Sequence, residues 1–176
     1  MTDQEFVTKT KLLIDGLKSV CANYGLGNDA SEFNIITQVF LYKYLNDKFI
    51  YEAKKSDPKL AKAEKFQDAY EALSENEQKF LLARIGTKAA KMKPEQMISY
   101  VYNKNNSENF ADIYFDGTLR SLNADNEHLY AVKSEGGGKE KMFDDLSQYI
   151  RDASQRDAFA RALLSKIVDV SFEKMF

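Results

Sequence analysis

Ser31-Glu-Phe-Asn-Ile-Ile-Thr-Gln-Val-Phe-Leu-Tyr-Lys-Tyr-Leu-Asn-Asp-Lys-Phe49 decides the reading of this chain. At helical spacing, Phe33, Ile36, Phe40 and Tyr44 share one face, Ile35, Val39 and Tyr42 another, and Leu41, Leu45 and Phe49 fill the space between. A helix apolar on nearly every side must sit among other helices. The run therefore predicts a mainly α protein, a multi-helix bundle around a central buried helix over about residues 31–55. Asp57-Pro58 ends that helix, because the residue before a proline is pushed out of helical geometry.

On the amino-terminal side, Phe6, Thr10, Leu13, Ile14, Leu17, Val20, Cys21 and Tyr24 recur as a one-faced helical stripe that Gly25-Leu-Gly27 stops. On the other side, Leu60, Ala63, Phe66, Tyr70 and Leu73 predict a third helix over about 59–73. Ser74-Glu-Asn-Glu77 has capping-box spacing and starts a fourth, which carries Phe80, Leu81 and Ile85 and closes at Gly86. Pro94 opens a short helix with Met97, Tyr100 and Val101 inward. A further helix over about 109–124 would bury Phe110, Ile113, Tyr114 and Leu122, at some cost from Gly117. A small hairpin or irregular insert is expected near 128–143, around Gly136-Gly-Gly138. A short helix through Tyr149 and Ile150 precedes a long one carrying Phe159, Leu163, Leu164, Ile167, Val168, Val170, Phe172 and Met175. That last run lacks a stop signal and finishes on Phe176, so the chain is expected to be a fragment of a longer protein.

At 176 residues the chain suits one helical domain spanning 1–176. The 25 basic and 27 acidic residues nearly cancel, so any nucleic-acid surface has to be local. The single cysteine, Cys21, closes no intramolecular disulfide and falls on an apolar helix face, which fits a buried thiol in a reducing cytoplasm. No signal peptide and no uncharged run long enough to cross a bilayer is present, so no membrane partner is expected.

The residues for catalysis are missing. One histidine, His128, and one cysteine far from it are too few for a structural zinc site, and no serine has a His/Asp context. Gly136-Gly-Gly138 lacks the preceding strand and following helix of a phosphate-binding loop. Asp144, Asp145, Asp152 and Asp157 sit at polar positions of predicted helices, where solvated faces explain them. Neither a metal nor a cofactor is expected in this segment.

Charge is uneven in one place. From Lys79 to Lys104 the basic residues Lys79, Arg84, Lys88, Lys91, Lys93 and Lys104 face one acid, Glu95. Lys88, Lys91 and Lys93 flank the amino end of the Pro94 helix, so their ammonium groups and its free N–H donors are candidates to hold a phosphate of double-stranded DNA. A second candidate is the glycine-rich tip, with Lys133, Lys139 and Lys141 among Glu135 and Glu140. Ordinary solvation explains either cluster without any partner.

Phe40-Leu-Tyr-Lys-Tyr-Leu-Asn-Asp-Lys-Phe49, Leu122-Asn-Ala-Asp125, Lys141-Met-Phe-Asp-Asp-Leu146 and Ile167-Val-Asp-Val-Ser-Phe-Glu-Lys-Met-Phe176 together resemble the amino-terminal helical domain of type I restriction-modification methylation subunits. The Phe-Leu-x-Lys-Tyr-Leu-x-Asp-Lys-Phe pattern is the most specific part. The resemblance implies a following Rossmann-like domain that transfers a methyl group from S-adenosylmethionine to N6 of a flipped-out adenine. That domain's Asn-Pro-Pro-aromatic signature cannot lie here, since Pro58 and Pro94 are the only prolines, so no catalytic or cofactor-binding residue carries over. The implied partners are a specificity subunit, a second modification subunit and a restriction subunit, with double-stranded DNA in the assembled complex. The segment itself would be non-catalytic, clamping DNA and docking to the specificity subunit. The alternative is a helical protein–protein interaction module with no nucleic-acid role, whose last helix would expose Phe172, Met175 and Phe176.

Overall fold

The computed structural model describes residues 1–130 and 141–176. The described residues form a mainly helical bundle and contain no strand. Helix α1 (Asp3–Asn23) opens on a capping box, in which Thr2 Oγ1 accepts the Glu5 N–H at 3.2 Å and the Glu5 carboxylate accepts the Thr2 N–H at 2.8 Å. It buries Leu13, Leu17, Val20 and Cys21. Gly25, at φ 79°, then turns the chain toward α2 (Ala30–Ser56), which Asp29 caps through the Ser31 N–H.

The 27 residues of α2 run about 40 Å and give the core its axis. Ile35, Val39, Tyr42, Leu45, Phe49 and Ala53 are buried at spacings of three or four. Lys43, Asn46 and Asp47 are also buried, and each is paired. Lys43 Nζ lies 3.0 Å from Asp47 Oδ1, and Asn46 Nδ2 donates to the same oxygen at 2.9 Å. Asp47 Oδ2 accepts the Phe172 N–H at 2.7 Å, and Asn46 Oδ1 accepts the Ile98 N–H at 2.9 Å. Buried charge persists only when satisfied this way, and here it ties two distant segments to one helix.

The remaining helices pack around this axis. The predicted third helix is two: α3 (Pro58–Lys62) and α4 (Phe66–Glu71), separated where Ala63 and Lys65 are extended. The break turns Phe66 and Tyr70 onto Phe49, with ring centroids 6.5 Å and 5.4 Å away. No proline or glycine marks it. Helix α5 (Glu75–Ile85) starts at the Ser74/Glu77 capping box and stops at Gly86, φ 56°. The helix expected at Pro94 is a single 3-10 turn, Pro94–Gln96, followed by α6 (Ile98–Asn103).

The 109–124 region is a π-helical turn, Ala111–Asp116, running into α7 (Gly117–Asp125). The wider π turn inserts a residue, so Phe110 and Phe115 point inward five apart and Ile113 is 55% exposed, not buried as the 3.6-residue period predicts. A Cβ on Gly117 would stand 3.2 Å from the Asp112 carbonyl oxygen, closer than ordinary packing allows, which accounts for glycine at the junction. Of the apolar residues that α5 carries, Leu81 and Ile85 set its buried face and Phe80 is 67% exposed.

The carboxyl-terminal half also departs from expectation. The arm expected to be extended from Leu129 begins instead as a helical turn, α8 (Glu127–Tyr130), and the rest of the expected hairpin up to residue 140, Lys139 included, lies outside the described residues. The long last helix, α9 (Arg156–Ile167), stops at Ile167. The chain then folds back on α2, burying Phe172 against Phe6 and Phe40, with ring centroids 5.8 Å and 5.7 Å away. Glu173 meets Lys54 at 2.7 Å. Once Phe172 can be satisfied by Asp47 and two rings, the apolar run past Ile167 no longer needs to be helix. None of the described helices is long and apolar enough to cross a membrane.

Candidate functional site

The expected phosphate-binding lysines sit on a segment pinned by four hydrogen bonds from three side chains. Asn126 Oδ1 accepts the Lys91 N–H at 2.7 Å and its Nδ2 donates back to the Lys91 carbonyl at 2.9 Å. The hydroxyls of Tyr70 and Tyr42 donate to the Met92 and Gln96 carbonyls at 2.6 Å and 2.7 Å. Burial alternates strictly: Ala90, Met92, Pro94 and Gln96 face inward, while Lys91, Lys93 and Glu95 face outward. The bundle thus presents Lys91 and Lys93 on one exposed edge, with Lys88 exposed just before it.

The helix-end phosphate site expected beside these lysines is not formed. The Lys93 N–H is taken by Gln96 Oε1 at 2.7 Å, inside a single 3-10 turn. Lys93 Nζ itself lies 3.2 Å from Asp125 Oδ2, which also accepts from Gln96 Nε2 at 2.8 Å. Elsewhere in the basic run, Arg84 donates to the Ser56 carbonyl at 2.9 Å and Lys104 lies over the Tyr100 ring. Lys88 and Lys91 are therefore the better candidates for an external anion.

Lys141 is exposed and lines a shallow hollow of about 430 Å³ with Arg120, Asn123, Asp144, Asp145 and Tyr149. Arg120 is held there by Asp112 and Asp145, at 3.1 Å and 3.0 Å, so the hollow is of mixed charge and not a basic patch. Its wall includes a reciprocal pair: Asn123 Nδ2 donates to the Phe143 carbonyl at 2.8 Å, and Asn123 Oδ1 accepts the Phe143 N–H at 3.0 Å.

The stretches that carry the sequence resemblance meet in space. Asn123, of Leu122-Asn-Ala-Asp125, holds Phe143, of the Lys141–Leu146 stretch. The Phe143 ring lies 6.3 Å from Tyr42 on α2. Asp47, in the same α2 motif, holds Phe172, of the last stretch. Lys43, Asn46 and Asp47 were not singled out by the sequence; their burial follows from partners on distant segments, which no local pattern marks.

A second site was missed by sequence. Phe33, Ile36, Phe40 and Tyr44 were expected in the core, yet they line an open crevice of about 770 Å³ between α1 and α2, with Thr10, Ile14, Lys18, Asn28, Asp29, Glu32, Thr37 and Leu41 completing it. Phe33 is 74% exposed. Among the described residues no helix covers the first half of α2 on this side. Thr10 Oγ1 is buried in the crevice wall and is without a hydrogen-bond partner, whereas such groups are normally satisfied. At one end stand Lys18, Asp29 and Glu32; the Ser31 N–H holds the Asp29 carboxyl below its ordinary range. The other end is closed by rings, where Phe172 packs on Phe40 and Phe176 on Tyr44.

The other chemistry-bearing groups are structural. Cys21 is fully buried, and desolvation pushes its thiol up to about 11. His128 is exposed. Asp116 is buried and accepts both the N–H and the hydroxyl of Ser147, latching the π turn to the 3-10 turn Leu146–Tyr149, and burial raises its carboxyl above the ordinary range. Among the described residues no group of three or more His, Cys, Asp and Glu side chains is arranged to hold a metal ion. Comparison with family models, with curated proteins and with solved structures found no match to this chain.

Proposed function

We propose that this chain is the amino-terminal helical domain of the modification subunit of a type I restriction-modification system, an adenine-N6 DNA methyltransferase. In this reading the segment is non-catalytic, and a following domain supplies catalysis with S-adenosylmethionine. Its tasks are to help hold double-stranded DNA and to dock to the specificity subunit, alongside a second modification subunit and the restriction subunit. The observation that carries the reading is the convergence of the resembling stretches on one another, through Asp47 with Phe172 and Asn123 with Phe143. Lys88 and Lys91 are the expected phosphate contacts, exposed on an edge that Asn126 fixes.

The test is a Lys88→Glu/Lys91→Glu chain titrated against a duplex at several salt concentrations. Each lost phosphate contact lowers the slope of log affinity against log salt by about 0.9, so the pair should lower it by nearly two. In the assembled enzyme the same substitutions should slow methylation. An unchanged slope together with unchanged methylation would refute the DNA-holding role. The open crevice between α1 and α2 favours a second reading, a protein interaction module without a nucleic-acid role, and that reading would survive such a result.

A further inference from the structure

We infer that residues 141–150 are a strap that docks on the bundle and releases from it as one unit, and that the buried contact between Asp116 and Ser147 is its pH-sensitive latch. Apart from the 3-10 turn Leu146–Tyr149 this stretch has no regular structure, so side chains of other elements hold it in place of a helical ladder of its own. Each fastener joins distant parts of the chain. The Phe143 N–H donates to Asn123 of α7 at 3.0 Å and the Asp144 N–H to Gln38 of α2 at 2.7 Å. The Asp145 carboxylate meets Arg120 at 3.0 Å, and the Ser147 N–H donates to Asp116 at 3.1 Å. Phe143, Leu146 and Ile150 are the apolar residues that the strap buries. A segment fastened in this way, with little backbone structure of its own, opens at lower cost than the helices it lies on.

Asp116 differs from the other fasteners. The Gln38–Asp144 and Arg120–Asp145 bonds lie at the surface, where water replaces a bond that breaks. Asp116 and Ser147 are both fully buried. Among the described residues no cation pairs with Asp116. Arg120, one turn further on, is taken by Asp112 and Asp145, and the Tyr149 hydroxyl donates to Asp144. On α9, Asp157 accepts the Ala111 N–H at 2.8 Å and Arg161 lies over the Phe110 ring. With the strap docked, an ionised Asp116 has the N–H and hydroxyl of Ser147 to stabilise its charge; with the strap released it has water. Burial is the largest influence and leaves the carboxyl raised in spite of those two hydrogen bonds. Docking is therefore favoured while Asp116 is protonated. That advantage is whole below about 4, the value in the released state, and is lost as pH rises through the docked-state value. Across that window release becomes up to about tenfold more frequent for each pH unit. This opening is local and is independent of the proposed function.

The test is amide hydrogen exchange of the full chain, followed by NMR at a series of pH values from about 4 upward, with rates corrected for the intrinsic pH dependence of exchange. The reporters are the amides of Phe143, Ser147 and Ile150, each hydrogen-bonded in the docked strap, and those of Leu163 and Leu164 report the bundle. The three strap amides should share one protection factor, lower than that of the α9 pair, and it should fall several-fold as pH rises. Asp116→Asn keeps an acceptor for the Ser147 N–H and carries no charge, so it should remove the fall. Ser147→Ala serves as a second variant if that one does not fold: it removes the hydroxyl donor and should lower the protection of Phe143 and Ile150 while Leu163 and Leu164 keep theirs. The inference is overturned if the three strap amides exchange independently of one another or as slowly as those of α9. It also falls if their protection is constant with pH, if Asp116→Asn retains the fall, or if Ser147→Ala leaves Phe143 and Ile150 as protected as in the parent.

Discussion

Replacing Asp47 by alanine tests what holds the carboxyl-terminal stretch against α2. The substitution removes the partner of a buried lysine, since the Lys43 side chain is only 4% exposed, and the acceptor of the Phe172 N–H at 2.7 Å. Removing one member of a buried ion pair typically costs about 3–5 kcal/mol, because the remaining charge has neither partner nor water. Stranding a buried backbone N–H costs about 1–3 kcal/mol on its own account, and the two overlap in one site. A loss of at least about 3 kcal/mol is therefore expected, against a total stability of about 5–15 kcal/mol for a domain. With a urea dependence of about 2 kcal/mol per molar, the unfolding midpoint falls by about 1.5 M. Lys43→Met/Asp47→Leu removes both charges and should cost less than Asp47→Ala alone. Hydrogen exchange supplies the local readout: the Phe172 amide loses its protection in Asp47→Ala even where α1 remains protected. A cost below about 1 kcal/mol with the Phe172 amide still protected would refute the reasoning.

Further predictions concern the thiol, the latch and the lysine edge. Cys21, buried and with its thiol pushed up to about 11, should resist a thiol reagent at pH 8 in the native chain and react promptly in urea; rapid native reaction would contradict its placement. Burial raises the Asp116 carboxyl, so the folded chain holds that proton more firmly than the unfolded chain does. The resulting stabilisation is present below the unfolded value, about 4, and is lost as pH rises through the folded value. The stability of the parent relative to Asp116→Asn should therefore fall as pH rises above about 4 in denaturant titrations, and a rise would show the sign to be wrong. Asn126→Ala strands the Lys91 N–H and carbonyl, and should cost about 1–3 kcal/mol while weakening whatever DNA affinity Lys88 and Lys91 confer.

Where apolar spacing and turn chemistry agreed, the sequence could be read directly. The Ser74/Glu77 cap, Gly86 and Asp57-Pro58 mark boundaries of α2 and α5, because each acts through its immediate neighbours. The break between α3 and α4 has no local marker: it follows from Phe66 and Tyr70 reaching Phe49, a contact between distant parts of the chain. The π turn was hidden because the hydropathy pattern was read at a period of 3.6, whereas Phe110 and Phe115 obey a period near five. The turn after Ile167 was hidden because Val168, Val170, Phe172 and Met175 suit a helix or a folded-back tail equally, until Asp47 takes the Phe172 N–H. The lysine edge was visible as charge. Its alternation in and out, and the engagement of Lys93 by Asp125, depended on where Asn126 and Gln96 lie in the fold. The crevice was misread as core, since apolar periodicity tells which faces could be buried and not which ones find a neighbour.

The proposed function is tested most directly by reading the coding sequence downstream of the Phe176 codon for some three hundred codons, the order of length of a catalytic domain. The account predicts an Asn-Pro-Pro-aromatic signature behind a glycine-bearing strand–helix unit, in frame with this chain. An immediate stop codon, or an unrelated domain in that frame, would contradict the methyltransferase assignment.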